Sequence, residues 1–172
     1  MRNKKTLRLA YTSLLCALAI AISAAEQLFP SVSFLPPGVK PGFSNIVTMA
    51  TASALGPVAT FSVVIVKALF VGMTRGVTAM LMSLLGGLFS AAVTVLLIKR
   101  NIFGSVGIGV LGAAVHSLTQ LAVASLLLSV SLVFYLPWLL FFSIPTGILT
   151  GSLFGILTPF LTRISSRFLS EF

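Results

Sequence analysis

The chain has 172 residues, of which 58% are hydrophobic and only 8% charged, with a mean hydropathy of +1.15. A soluble domain carries about 25% charged residues and always needs a wetted surface, so a soluble globular fold is excluded and lipid is the solvent for most of this chain. The net charge of +9 does not indicate nucleic acid, because the basic residues flank apolar runs, as membrane topology signals do.

Only helices and closed barrels span a bilayer. The apolar runs are about 20 residues long and lack period-two alternation, which selects helices over strands. The first helix is expected over about Leu7 to Leu28, behind Arg2, Lys4, Lys5 and Arg8. This basic start, followed by an apolar run and the small residues Ser23-Ala24-Ala25, has features of a signal peptide. A retained helix is expected instead, because the run is long and the rest of the chain is also membrane-embedded. Ser13, Ala17, Ala21 and Ala25 recur every fourth residue and form a small-residue stripe that lets a second helix approach closely in lipid. That helix belongs either to this chain or to a partner protein. Glu26, at the outer end, is one of two acids in the chain, and is expected to be solvated or paired with a nearby base.

The stretch Pro36 to Asn45 interrupts the apolar pattern with three prolines and two glycines, carries Lys40, and ends in Ser44-Asn45. Prolines exclude a continuous helix there, and Ser44-Asn45 suits the cap of the next one. The second helix is expected from about Phe43 to Leu55, short for a crossing, and Gly56-Pro57 breaks it. A third follows from about Pro57 to Val71 with Lys67 inside it, either snorkelling to the interface or facing the interior. Gly72 to Gly76 is expected as a turn holding Arg75. The fourth helix spans about Val77 to Ile98, with Ser83, Gly87 and Ala91 as a close-packing stripe, and ends at Lys99-Arg100-Asn101. The fifth, about Val106 to Ser131, opens glycine-rich. Tyr135, Pro137 and Trp138 mark a membrane interface. The sixth, about Leu139 to Thr162, carries Gly147, Gly151 and Gly155 at four-residue spacing, with Pro145 and Pro159 as candidate kinks.

Six spans place both ends on one side. Arg2, Lys4, Lys5, Arg8, Lys99, Arg100, Arg163 and Arg167 fall on that side, whereas Lys40, Arg75 and Lys67 fall on or near the other. The positive-inside rule then puts both termini in the cytoplasm. The expected architecture is an all-α integral membrane protein: a single transmembrane domain over residues 1–172, a six-transmembrane-helix bundle in the cell membrane.

Lys40, Lys67 and Arg75 lie on the charge-poor outer side, where helices two, four and six begin, and helix starts favour anions. Together they describe an electropositive outer cavity for a small organic anion, a carboxylate or a phosphate. Scattered cations pairing with lipid phosphates are the bland alternative. His116 and Gln120 share one face of helix five, where buried polar groups need partners. They make either an interhelical hydrogen bond or a ligand contact, with Asn45 placed to join them from helix two.

Several chemistries are excluded. Two acids cannot build a carboxylate-metal site, there is no phosphate-binding Walker loop, and a single histidine and a single cysteine argue against a metal centre or a nucleophile dyad. No enzyme, cofactor or metal is expected, and a binding subunit energised by other proteins fits better than a self-powered transporter.

Two motifs, Pro37-Gly38-x-Lys40-x-Gly42-x-x-Asn45 and Gly112-Ala113-x-x-His116-x-x-x-Gln120, resemble those of the "Gx transporter" family, which also carries the label heptaprenyl diphosphate synthase component I. The family looks like a relative of the substrate-binding S components of energy-coupling-factor (ECF) importers. Lys67 stands where the family pattern has arginine, and Ser117 where it has asparagine; the first keeps the charge and the second changes what that side chain can contact. The resemblance implies an S-component fold with both termini inside and a pocket near the outer face, covered by the loop between helices one and two. It implies a transmembrane coupling protein and two cytoplasmic ATPases as partners, and Ser13, Ala17, Ala21 and Ala25 are similar to the surface by which S components dock. The site residues carried into this reading are Lys40, Asn45, Lys67, Arg75, His116 and Gln120. The alternatives are a non-catalytic subunit assisting polyprenyl diphosphate or quinone synthesis, and an autonomous carrier. The synthase label fits poorly, since prenyl synthases hold magnesium and diphosphate with aspartates and this chain has none.

Overall fold

A computed structural model describes residues 4–28, 42–128 and 133–170. These form α1 (Lys4–Leu28), α2 (Asn45–Ala54), α3 (Pro57–Arg75), α4 (Val77–Arg100), α5 (Ser105–Leu128) and α6 (Leu136–Ser170), with one 3-10 turn at Val133–Tyr135. All except α2 are long and apolar enough to cross a membrane, and the bundle is that of a multi-pass membrane protein.

The helices alternate in direction, and named contacts show it. Arg8, near the start of α1, donates to the Leu55 carbonyl just past α2. Glu26, near the end of α1, accepts from the Ser44 backbone N–H just before α2. α2 therefore runs antiparallel to α1, from the level of Glu26 to the level of Arg8. Its 10 residues cover only ~15 Å, half of a hydrocarbon core, so the expected second span is too short to cross alone. Gln27 on α1 donates to Thr74 on α3, which makes these two helices parallel. α4 reverses at Gly76 and α5 at Asn101, whose left-handed backbone (φ 50°) closes the α4 C-terminus. α6 runs back along α5, with Gly147 against Gly109 and Gly155 against Ser105.

Two expected boundaries move. The turn expected at Gly72 to Gly76 is confined to Gly76 (φ 87°), and α3 continues through Gly72 to Arg75. Glycine weakens a helix without breaking it. Here Gly72 has a packing use, since a Cβ on it would lie 2.8 Å from Met80 Sδ. α6 begins at Leu136 and continues through Pro145 and Pro159 to Ser170, so neither proline ends it.

The glycine stripe of α6 packs within the chain. A Cβ at Gly147 would lie 2.5 Å from Val110 Cα, and one at Gly151 2.7 Å from Val106 Cα. On α4, Gly87 accepts Val64 of α3, while Ser90 donates to the Gly112 carbonyl of α5 at 2.8 Å. The small-residue stripe of α1 behaves differently: Ser13, Ala17, Ala21 and Ala25 are all exposed, while Leu15, Ala19, Ser23 and Glu26 form the buried face.

Candidate functional site

Near the Glu26 end of α1, a polar cavity lies inside the bundle. Its lining includes Glu26, Ser44, Lys67, Arg75, His116 and Gln120. Continuation of α3 past Gly72 is what places Arg75 there. Lys67, Val71 and Arg75 follow at four-residue spacing on one stripe of α3, and all three line the cavity. His116 and Gln120 enter one turn apart from α5.

Lys67 is only 3% exposed, so it faces the interior and does not snorkel. Its Nζ donates to Ser44 Oγ at 3.3 Å and to Asn45 Oδ1 at 3.4 Å. This corrects the capping expectation. Ser44 stands at the N-cap of α2 with helical backbone angles and makes no side-chain cap, because its hydroxyl and the Asn45 amide oxygen both serve the buried ammonium. A buried cation needs acceptors more urgently than a helix end does.

The α2 N-terminus was also expected to favour a ligand anion. The Glu26 carboxylate, itself buried, occupies that position at 2.7 Å from the Ser44 N–H. The next amides are used locally, Asn45 N–H by the Gly42 carbonyl and Ile46 N–H by the Phe43 carbonyl. Glu26 also lies within electrostatic range of both Lys67 and Arg75, so of its two expected fates it takes the paired one. The expected electropositive cavity is thus partly neutralised. Among the described residues lining it, two cations face one carboxylate.

His116 sits between two glycines. A Cβ at Gly42 would lie 3.4 Å from His116 Cδ2, and one at Gly86 3.1 Å from His116 Nδ1 and from Gln120 Cγ. A Cβ at either position would press on these side chains, and Gly42 also has φ 77°, a conformation that side chains resist. His116 Nδ1 lies beside the Gly86 backbone but completes no hydrogen bond among the described residues, and Gln120 Oε1 has none there either.

The structure thus brings together five of the six expected residues: Asn45, Lys67, Arg75, His116 and Gln120. Lys40 and the loop expected to cover the pocket lie outside the described residues. Sequence reasoning missed Ser23 and Ser83, both buried in the lining, and Gly86, while Gly42 entered only as a residue of the first motif. Ser23 was findable as the residue one turn before Glu26 on the buried face of α1. Gly86 carried no separate signal, because its neighbour Gly87 completes the small-residue stripe. Among the described residues there is no group of three His, Cys, Asp or Glu that could hold a metal ion.

A model of the heptaprenyl diphosphate synthase component I family matches residues 15–157, a span containing all five clustered residues. Among solved structures, the chain is similar to one reported under "Structure and mechanism of the S component of a bacterial ECF transporter", at 24% identity and a TM-score of 0.57 over 96% of this chain and 98% of that one. The two share a fold. Among curated proteins, none matches.

Proposed function

This chain belongs to the heptaprenyl diphosphate synthase component I family, and we propose that within it the chain is the membrane-embedded substrate-binding subunit of an ECF-type importer, taking a small organic anion from the outer face. The observation that carries this reading is the cavity: buried Lys67, His116 and Gln120, with Arg75, converge on one space in a bundle with the fold of an S component. Intramembrane ionisable groups are expensive and mark functional sites.

The remaining assignments belong to the same reading. The protein is one transmembrane domain in the cell membrane, and the chain crosses six times. Alternating helix directions put Lys5, Arg8, Lys99 and Arg100 at one end of the bundle, which the positive-inside rule assigns to the cytoplasm with both termini. The cavity then faces outward. Arg75, Lys67, His116 and Gln120 contact the substrate, and Asn45 positions Lys67. The exposed stripe Ser13, Ala17, Ala21 and Ala25 is where the transmembrane coupling protein docks, with ATPase subunits bound behind it, since small residues let a partner helix approach closely. No step of chemistry on the substrate is assigned to the chain.

Affinity capture from native membranes tests this. A transmembrane coupling protein and ATPases should co-purify with the tagged chain, and their absence sinks the importer reading. The family name favours a second reading, a non-catalytic subunit of polyprenyl diphosphate synthesis. Recovery of a soluble, aspartate-rich prenyltransferase in the same capture, with synthase activity lost on deleting this chain, would establish it instead. Uptake by proteoliposomes containing this chain alone would point to an autonomous carrier.

A further inference from the structure

Two buried atoms in the cavity have hydrogen-bonding capacity that the described residues leave unused. Gln120 Oε1 and His116 Nδ1 have no partner among the described residues, on side chains only 6% and 4% exposed. Buried polar atoms are almost always satisfied, by a ligand or by ordered water where the protein does not do it. An amide oxygen only accepts, so whatever completes Gln120 must bring an O–H or N–H. Lys67 offers a second opening. Its ammonium has three donors, and the hydrogen bonds it makes among the described residues are to the neutral oxygens of Ser44 and Asn45. A donor therefore remains for an anion.

Charge sets how much anion the site accepts. Lys67 and Arg75 face Glu26 alone among the described lining residues, with the imidazole counted as uncharged. One negative charge on a ligand neutralises the cluster; a second would stand uncompensated in a low dielectric, where that is costly. The space between the described lining residues is small, about 30 Å³, which favours a compact polar group over an extended one. A diphosphate exceeds the cluster in charge.

We infer that this polar subsite takes a compact monocarboxylate bearing an O–H or N–H donor next to the carboxylate. The carboxylate lies on Lys67 and Arg75, and the donor points at Gln120 Oε1 with His116 Nδ1 beside it. This deepens the importer reading and rests on it for the direction of entry, but it can fail separately.

The test uses the purified full chain in lipid nanodiscs and three probes of matched size, read by titration calorimetry. Lactate carries one charge and a hydroxyl, propionate one charge and no hydroxyl, malonate two charges. Lactate should bind ~10-fold or more tighter than propionate, because a site built to bond a hydroxyl rejects the analogue lacking it. It should also bind ~10-fold or more tighter than malonate, through the uncompensated second charge. Gln120→Met, close in shape, should bring lactate and propionate within about threefold while the preference over malonate persists. Should that variant misfold on size exclusion, the wild-type series alone decides. Malonate binding as well as lactate, propionate binding as well as lactate, or no binding by any of the three overturns the inference. Membrane capture separates the two claims. A captured coupling protein with malonate preferred leaves the importer reading standing and removes this one; the predicted selectivity without a captured partner does the reverse.

Discussion

The α5–α6 seam and the buried cavity use glycine for opposite ends. In the seam, Gly109, Gly147 and Gly151 bring two backbones together, so that the nearest atoms across the contact are main-chain. At the cavity, Gly42 and Gly86 bring backbone against a side chain, the His116 imidazole. The seam's closest contacts are therefore main-chain, with side chains such as Ile108 and Phe154 packed beside them, whereas the cavity is built from side chains. In lipid, where burial of apolar surface does not drive helices together, van der Waals contact and hydrogen bonds must. The seam relies on the first and the cavity on the second. It follows that the seam should fail when atoms are added, and the cavity when atoms are removed.

The largest effect is expected at Lys67. Lys67→Met strips Ser44 Oγ and Asn45 Oδ1 of their donor and takes one cation away from buried Glu26. Removing one partner from a buried charged group costs about 3–5 kcal/mol, toward the low end here because Arg75 stays nearby. Thermal unfolding in detergent should show the loss, with Glu26→Gln in the same chain restoring part of it. A Lys67→Met protein that melts like the parent would mean the cation does not hold the start of α2.

Next comes the seam. Gly147→Val puts atoms where Val110 Cα and Gly109 already lie, and overpacking of this kind costs about 1–3 kcal/mol or more. Gly104→Ala, at the same end of α5 but with nothing within 4 Å, should stay within about 0.5 kcal/mol. Equal melting of the two variants would erase the contrast between seam and open positions.

Gly86→Ala tests the other side of the comparison. The added Cβ meets side-chain atoms at 3.1 Å, and these can shift where backbone cannot. Stability should drop by less than about 1.5 kcal/mol, while lactate binding weakens measurably as His116 and Gln120 move. The reverse pattern, large destabilisation with binding intact, would make Gly86 a seam residue. The smallest effect on stability belongs to the exposed face of α1. Ala21→Leu should change the melt by about 0.5 kcal/mol at most, yet abolish capture of the coupling protein if that stripe is the docking surface.

Much of this layout was legible in the residues. Gly56-Pro57 and Lys99-Arg100-Asn101 mark helix ends because proline, glycine and terminal cations act locally on the backbone there. Asn45, Lys67, His116 and Gln120 were findable as polar groups too costly to face lipid. What escaped depends on neighbours distant in sequence. Ser44 reads as a cap, but its preference yields to a lysine on another helix. Gly72 reads as a turn, but Met80 gives it a reason to stay helical. Glu26 reads as an outer-end acid, but it closes the α2 start and lowers the net charge of the site. The facing of the α1 stripe could not be read at all, since small residues suit an inner contact and an outer one equally.

The account rests on the cavity being a substrate site and not merely a polar brace. The most direct measurement is mass spectrometry of small molecules released by denaturing the purified protein, comparing the parent with Lys67→Met and Gln120→Met. The account predicts a compact organic monoanion released from the parent, strongly reduced in Gln120→Met and absent from Lys67→Met. Release of the same molecule in equal amounts from all three, or of none from the parent, would contradict it.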